Sequence, residues 1–266
     1  MVHGFVMEFV LFEKEAPIGW LILNHPQKRN ALSLGLMENM LDKLQMIAKD
    51  DEVEVVIIRG NGPSFCSGHD LRELVGDYEE SHYHQIFSTC LELMQSFSTI
   101  PQPVIAMVHG AATAAGCQLV ASCDLAIASE KAVFSTPGVK IGLFCATPMV
   151  PLSRVIGRRQ ALDMLLTGRN VSATEAKEFG LINEIVPDDL LSSEAKKFAL
   201  SLAKYSSFTV QFGKKAFYDQ IDLDEKSAYE MAIKSIVKNC MHPDAEEGIR
   251  AMLEKRSPQW KNDEKY

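Results

Sequence analysis

The sequence lacks paired cysteines. Its six cysteines are spread through 266 residues without a single C-x-x-C unit. This spacing is typical of reduced thiols in a reducing compartment, and it indicates neither a disulfide framework nor a metal site. Met1 to Phe12 includes Glu8 and has no basic run before a long apolar core. We therefore expect no metal ligands, no targeting segment and a cytoplasmic location.

Positive charge is also scarce. Twenty-seven Lys and Arg residues stand against 35 Asp and Glu residues, which gives a formal net charge of −8. Surfaces that bind nucleic acid or membranes generally need a basic excess, so we expect neither partner. No uninterrupted apolar run reaches the roughly 18 residues of a membrane-spanning helix. A small anionic ligand remains compatible with this composition, because a few local Lys or Arg side chains suffice to bind it.

Short apolar runs alternate with helical periodicity in the first half of the chain. Each predicted strand is followed by a turn and a helical pattern, which indicates an α/β fold with a mostly parallel sheet layered by helices. The clearest predicted strands are Ile18–Leu23, Val53–Ile58, Val104–Val108, Leu125–Ala128 and Val133–Ser135, and the clearest predicted helices are Asn30–Ala48 and Tyr83–Phe97.

The strand signal fades after about residue 150, and helical periodicity dominates the remainder. We predict an α/β core over residues 1–200 and a helical C-terminal region over residues 201–266. The helical region serves either subunit contacts or extra packing on the core, and the sequence does not favour one of these over the other.

The segment Phe65–Leu74 predicts a glycine turn that leads from a strand into a helix. Backbone N–H groups at such a junction are free to hold a carbonyl oxygen or an anion. Most turns of this kind only reverse the chain, so this segment is weak evidence by itself.

The segment His109–Leu119 is rich in small residues and follows a predicted strand. Small side chains let a ligand approach the backbone, and a helix beginning near Ala115 directs its positive dipole end toward that ligand. Tight packing of a helix on a sheet explains the same composition without a ligand.

Together the two segments resemble the paired signature of the crotonase (enoyl-CoA hydratase/isomerase) superfamily. The matching residues are Phe65-x-Ser-Gly-x-Asp-Leu-x-Glu-Leu and His109-Gly-x-Ala-x-Ala-Ala-Gly-Cys-x-Leu, followed by Cys123-Asp-Leu. The resemblance extends to Asn24-x-Pro-x-x-Arg-Asn-Ala-Leu32, to the stretch from Leu166 to Asn183, and to Glu247–Arg256.

The resemblance implies a spiral of β-β-α units with a helical C-terminal trimerisation region, assembled as a homotrimer or a dimer of trimers. It implies that a thioester oxygen lies between the N–H groups of His69 and Ala115. Coenzyme A enters as part of the acyl-CoA substrate, and no tightly bound cofactor is implied. The residues placed along coenzyme A are Arg29, Ala31, Leu32, Ser67, His69 and Asp70, with Lys255 reaching the nucleotide phosphate from a neighbouring subunit.

The sequence departs from the family pattern at two positions. Family hydratases carry paired glutamates that act as base and acid, whereas the corresponding positions here are Gln118 and Gly138. An amide does not exchange a proton near neutral pH, so we expect slow hydration and slow double-bond isomerisation.

Three side chains are candidates for the missing polar chemistry. The His69 imidazole can titrate near neutrality, although a structural hydrogen-bonding role is the alternative. Cys145 follows Gly138 in a loop, where it either faces the acyl group or is an inert buried thiol. Gln118 can still orient water or a polar acyl group through its amide.

Three functions stay open on this sequence. The first is an acyl-CoA-processing enzyme of the enoyl-CoA hydratase/isomerase family, a lyase by resemblance, with an atypical active site that stabilises a thioester enolate. The second is a decarboxylase of malonyl-type acyl-CoA, because loss of CO2 creates the enolate without a base. The third is a non-catalytic acyl-CoA-binding protein that kept only the fold.

Overall fold

A computed structural model describes residues 8–76 and 78–261 of the chain. The first residues of the N-terminal stretch considered above, and the last five of the C-terminal region, lie outside the described residues. No helix within the described residues is both long and apolar enough to cross a membrane.

The described residues form ten strands in two sheets. In chain order they are β1 (Val10–Glu15), β2 (Ile18–Leu23), β3 (Val55–Gly60), β4 (Ser64–Cys66), β5 (Val104–Val108), β6 (Ala111–Thr113), β7 (Leu125–Ser129), β8 (Val133–Ser135), β9 (Val171–Ser172) and β10 (Glu184–Val186). The larger sheet has the order β1-β2-β3-β5-β7-β10 and is parallel except where β1 meets β2. The smaller sheet has the order β4-β6-β8-β9, with only β9 antiparallel to its neighbour. The expected α/β architecture with mostly parallel strands is therefore confirmed.

Ten α-helices lie within residues 8–76 and 78–261. They are α1 (Leu34–Ile47), α2 (Glu80–Thr99), α3 (Ala115–Ser122), α4 (Met149–Val155), α5 (Arg158–Thr167), α6 (Ala173–Phe179), α7 (Leu191–Ala203), α8 (Ser207–Gln220), α9 (Glu225–Cys240) and α10 (Pro243–Leu253). Short 3-10 helices cover Pro26–Lys28, Leu71–Glu73, Pro137–Ile141 and Asp188–Leu190.

Alternation of side chains along the strands divides the core into two layers. On β3, Val56 and Ile58 pack with α1, α2 and α3, whereas Val55 and Ile57 pack on the opposite face against α7. Burial on both faces explains the continuous apolar runs of β2, β3 and β5, because a strand covered by helices on both sides needs no polar alternation. The first of these layers also contains the buried residues of the smaller sheet and of α3.

The structure differs from the sequence-based expectation after residue 70. A helix was expected there, but only the 3-10 turn Leu71–Glu73 forms. The Glu73 carboxylate accepts the backbone N–H of Leu34 at 2.9 Å, which satisfies a free donor at the start of α1. The Glu73 side chain is therefore bound to the start of α1.

The C-terminal helices are attached to the core through a buried ion pair. The Lys214 ammonium on α8 lies 2.7 Å from the Asp124 carboxylate and donates to the Gln102 carbonyl oxygen at 2.8 Å. Burial lowers the pKa of Lys214, and Asp124 opposes that shift. A buried ammonium needs such partners, so this contact fixes α8 against the ends of α2 and β7. The division into a core of residues 1–200 and a helical region of residues 201–266 stays a prediction.

Candidate active site

The predicted site lies where three parallel strands end. In the smaller sheet β4, β6 and β8 are adjacent and parallel, with Thr113 opposite Ser135. The carboxyl ends of parallel strands meet at one edge of a sheet, and ligands of α/β proteins commonly bind there. The segments that leave this edge are residues 67–70 after β4, residues 114–116 after β6 and residues 136–138 after β8.

The first two of these segments are in direct contact. Gly68 has φ +93°, and a Cβ atom added to it would lie 2.8 Å from Ala114 Cβ and 3.2 Å from the Ala115 nitrogen. Ala114 itself has φ 50°, an unusual value for a residue with a side chain, and its N–H donates to the Ser135 carbonyl oxygen at 2.8 Å. Glycine at position 68 therefore lets the turn after β4 lie against the first residue of α3.

Two backbone donors are free at this contact. In the described part of the chain, no protein acceptor takes the N–H of His69 or of Ala115. Two N–H groups beside His69 are taken, because the Leu32 N–H donates to the Gly68 carbonyl oxygen at 2.7 Å and the Asp70 N–H donates to the Leu32 carbonyl oxygen at 3.3 Å. Ala115 is the first residue of α3, so its N–H also lies at the positive end of the helix dipole.

The segment proposed to run along coenzyme A packs against the same turn. The Ser67 N–H donates to the Arg29 carbonyl oxygen at 3.1 Å, and Leu32 forms an isolated parallel bridge with His69. Ala31 and Leu32 are buried, whereas the Arg29 side chain is exposed. The structure thus brings together Arg29, Ala31, Leu32, Ser67, His69 and Asp70.

The Asp70 carboxylate is bound by other groups of the protein. Its carboxylate lies 2.7 Å from the Lys28 ammonium and accepts the Arg72 N–H at 3.1 Å. Burial alone would raise the pKa of Asp70, but Lys28 and the Arg72 N–H outweigh burial and lower it. The backbone of Asp70 is bound within the protein as well, because its N–H donates to Leu32 and its carbonyl oxygen accepts the Glu73 N–H at 2.9 Å.

Lys255 lies apart from these residues. It follows α10, has an exposed side chain and adopts a left-handed φ of 55°. Its contact with the nucleotide of a neighbouring subunit stays a prediction.

Asn30 holds the turn that carries Arg29, Ala31 and Leu32. It is fully buried, its Nδ2 donates to the carbonyl oxygens of Asn61, Ser64 and Phe65 at 2.9–3.1 Å, and its Oδ1 accepts the His25 N–H at 2.9 Å. Its φ of 54° is one that asparagine tolerates better than most residues. Sequence reasoning included Asn30 in a family motif but did not identify this role.

Replacing Asn30 with alanine is expected to lower the free energy of unfolding by about 3 kcal/mol, because it leaves buried backbone groups without partners. Chemical denaturation measures the loss. Asn61→Ala is the matched control. Among the described residues the half-buried Asn61 side chain forms hydrogen bonds only with Arg59 and Asn24, so its loss should stay near 1 kcal/mol. Equal losses in the two variants would contradict the role given to Asn30.

The His69 ring lies beside the free donors and is shielded from water. Neither ring nitrogen has a well-formed hydrogen bond within the described residues, and the ring meets Phe87 edge-on with centroids 5.2 Å apart. Burial lowers the pKa of His69, and the nearby Leu32 carbonyl opposes this only in part. The imidazole is therefore neutral at pH 7, with one donor and one acceptor nitrogen.

Gln118 lies one turn along α3 from Ala115, on the same side of the helix. It is 4% exposed, and its Oε1 atom is buried without a partner in the described part of the chain. Thr136, which sequence reasoning did not select, is fully buried directly after β8. Its hydroxyl also has no hydrogen-bond partner in the described part of the chain. An isolated threonine carries no sequence signal, and only the parallel pairing of β6 with β8 places it here.

Gly138 has no room for a side chain. A Cβ atom at this position would lie 2.0 Å from the Leu143 carbonyl oxygen and 2.9 Å from Cys145 Sγ. Cys145 is 7% exposed, and burial raises the pKa of its thiol, with the Gly138 N–H opposing the shift. The thiol is therefore protonated at neutral pH, which disfavours nucleophilic chemistry.

Comparisons with known proteins agree with this geometry. The family model described as enoyl-CoA hydratase/isomerase matches residues 13–263. The chain belongs to the enoyl-CoA hydratase/isomerase family and has the crotonase fold.

Similar proteins share most of this chain. Enoyl-CoA hydratase domain-containing protein 3, mitochondrial, of Rattus norvegicus is 45% identical over 240 residues, which cover 90% of this chain and 80% of the relative. The structure of human enoyl coenzyme A hydratase domain-containing protein 3 superposes with a TM-score of 0.92 at 42% identity, covering 95% of this chain and all of the other. An enoyl-CoA hydratase from Mycobacterium smegmatis gives a TM-score of 0.93 at 42% identity, covering 95% and 98% of the two chains.

Proposed function

We propose that this chain binds an acyl-CoA and holds its thioester oxygen between the N–H groups of His69 and Ala115. The observation that carries the proposal is the pair of free donors on two contacting turns at the edge of β4, β6 and β8. Rigid donors of this kind favour an enolate over the ground-state carbonyl, because negative charge on the oxygen strengthens both hydrogen bonds. Membership of a family that acts on acyl-CoA thioesters supports the same assignment.

We do not expect this chain to hydrate enoyl-CoA efficiently. Water addition needs a group that takes a proton and a group that gives one near the double bond. Gln118 offers an amide and Gly138 offers no side chain, and the proposed equivalence of these positions to the family's glutamates rests on the sequence resemblance. The neutral His69 imidazole is the first candidate for proton transfer, ahead of the protonated Cys145 thiol.

Calorimetry with short acyl-CoAs, combined with turnover assays, tests this proposal. The expected result is that butyryl-CoA and crotonyl-CoA bind, that hydration of crotonyl-CoA is very slow, and that binding survives when His69 and Gln118 are both changed to alanine. Rapid hydration by this double variant would contradict the assignment of the polar groups. A failure of every acyl-CoA to bind would contradict the proposed function itself.

Malonyl-CoA separates the remaining hypotheses in the same assay. Loss of CO2 needs the two N–H donors and no base, so release of CO2 without any hydration would identify a decarboxylase. Tight binding of all three thioesters with no product would identify a non-catalytic acyl-CoA-binding protein.

We also propose that the chain forms a homotrimer or a dimer of trimers. One side of α9 exposes large apolar side chains at helical spacing, with Tyr229, Ile233, Ile236 and Val237 each 58–66% exposed. An apolar helix face of this kind is typical of a surface covered by another subunit. A neighbouring subunit is also the proposed route by which Lys255 reaches the nucleotide.

The cytoplasmic location stays a prediction. The similar proteins from Rattus norvegicus and Dictyostelium discoideum are named mitochondrial, and those names apply to the relatives.

A further inference from the structure

A cavity of about 760 Å³ lies between the core and the C-terminal helices. Residues 98–102 at the end of α2 and residues after α1 line it on the core side, and α8 and α9 line it on the other sides. Phe87, which contacts His69, precedes Ser98 on α2 by about 16 Å of helix. The cavity is therefore a separate space from the candidate active site, and its volume suits a ligand of nucleotide size.

Gln102 brings an unsatisfied hydrogen-bond acceptor to this cavity. It is 2% exposed, lines the cavity, and its Nε2 atom donates to the Ile47 carbonyl oxygen at 3.0 Å. Because a carbonyl oxygen can only accept, this contact fixes which amide atom is the nitrogen. The remaining atom, Oε1, is buried without a partner in the described part of the chain. A buried acceptor of this kind indicates a donor from a ligand or an ordered water.

The lining beside Gln102 is apolar and favours a neutral donor. Ile100 and Pro101 directly precede Gln102 and line the same cavity, and Phe208 and Phe212 line it from α8 with ring centroids 5.4 Å apart. A charged ammonium group would lose its water against these side chains, which is unfavourable. The donor that suits Gln102 is therefore a neutral N–H or O–H on a largely apolar body.

Positive charge is in excess at the cavity, although the formal net charge of the chain is −8. Four lysines and three aspartates line the cavity, and two of the aspartates, Asp50 and Asp219, are each paired with a lysine. Among the described residues, the ammonium groups of Lys234 and Lys261 have no hydrogen-bond or ion-pair partner. Two such groups suit a dianion, and lysine is a common binder of phosphate.

Helix α8 joins the two walls that carry these groups. It packs on α2, which ends just before Gln102, and on α9, which carries Lys234. Four residues of α9 line the cavity at helical spacing, namely Met231, Lys234, Ser235 and Lys238. A ligand that reaches both walls needs a neutral donor at one end, an apolar body and a dianion at the other end.

We propose that this cavity is a second ligand site, which binds a nucleoside monophosphate whose base carries an exocyclic amine. The amine donates to Gln102 Oε1, the flat base packs against the apolar lining, and the phosphate binds Lys234 and Lys261. The amine of a nucleobase is uncharged at neutral pH, as the lining beside Gln102 requires. The site is separate from the proposed acyl-CoA site, so this inference does not depend on the proposed function.

Calorimetry on the full chain with three probes tests this inference. AMP carries both the amine and the phosphate, adenosine lacks the phosphate, and purine riboside 5′-monophosphate lacks only the amine. The expected result is that AMP binds about 10-fold tighter, or more, than either of the other two. Absence of AMP binding at about 1 mM would overturn the inference and indicate that water fills the cavity. Equal affinities for AMP and purine riboside 5′-monophosphate would overturn the role of Gln102.

Variants on α9 and in the core wall identify the contacts. Lys234→Met is expected to weaken AMP binding about 10-fold. Lys226→Met is the matched control, because Lys226 is an exposed lysine of the same helix outside the cavity lining. Equal AMP affinities in the two variants would overturn the role of Lys234. Gln102→Met should remove the preference for AMP over purine riboside 5′-monophosphate, and if this variant does not fold, the two nucleotides on the wild-type chain decide.

Photo-crosslinking with 8-azido-AMP, followed by peptide mapping, locates the bound nucleotide. The expected result is labelling of residues 98–102 or of α8, which line the cavity. Labelling of residues 29–32 or 67–70 instead would overturn the inference, because it would place AMP at the segments proposed to contact coenzyme A.

Discussion

Replacing Ala115 with proline is expected to reduce stabilisation of a bound enolate by about 100-fold or more. Proline removes the Ala115 N–H, and loss of one such donor typically costs about 3 kcal/mol. Ala115 is the first residue of α3, a helix position at which proline is tolerated. Acetoacetyl-CoA is a suitable probe, since the near-ultraviolet absorbance of its enolate reports the enolate fraction when bound.

Ala173→Pro is the matched control for this experiment. Ala173 is the first residue of α6 and is buried, as Ala115 is in α3, but it lies outside the proposed site. The control should keep the wild-type enolate absorbance. Equal enolate fractions in wild type and Ala115→Pro, with both proteins saturated, would contradict the donor role of Ala115.

Introducing glutamate at both Gln118 and Gly138 is expected not to create a hydratase. The sequence resemblance alone suggests that restoring both carboxylates restores the reaction. The structure predicts otherwise, because even a Cβ atom at Gly138 would lie 2.0 Å from the Leu143 carbonyl oxygen. Gly138→Glu should therefore lower the free energy of unfolding by about 3 kcal/mol or more, as overpacking of a closed site does. Chemical denaturation and a crotonyl-CoA hydration assay check both outcomes.

Gly142→Ala provides a control within the same loop. An added Cβ at Gly142 meets no atom within 4 Å. The free energy of unfolding should therefore fall by about 1 kcal/mol, only because of the left-handed φ of 76°. Gly138→Ala should lower the free energy of unfolding clearly more than Gly142→Ala. A stable double-glutamate variant that hydrates crotonyl-CoA would show that the segment from Leu143 to Cys145 moves aside easily.

The location of the two N–H donors could be predicted from the sequence because both lie within short, continuous motifs. The start of α3 at Ala115 follows from local signals and is confirmed. Strand β6 was missed, since it consists only of Ala, Ala and Thr. Its strand conformation comes from pairing with β4 and β8 rather than from intrinsic preference.

The surroundings of the donors could not be predicted in the same way. The space at Gly138 is filled by Leu143 and Cys145 through a fold of the loop that no periodicity reveals. Thr136 becomes notable only because it follows β8, which pairs with β6, and because its buried hydroxyl has no partner among the described residues. Asn30 likewise depends on three carbonyl groups more than 30 residues away in sequence.

Isotope-edited infrared spectroscopy of a bound thioester tests the central claim most directly. Butyryl-CoA labelled with 13C at the carbonyl carbon would be measured free, bound to the wild-type chain and bound to Ala115→Pro. Hydrogen bonds from His69 and Ala115 polarise the carbonyl, so its stretching frequency should fall on binding to wild type and return toward the free value in the variant. An unchanged frequency in a saturated wild-type complex would contradict the claim that these two N–H groups hold the thioester oxygen.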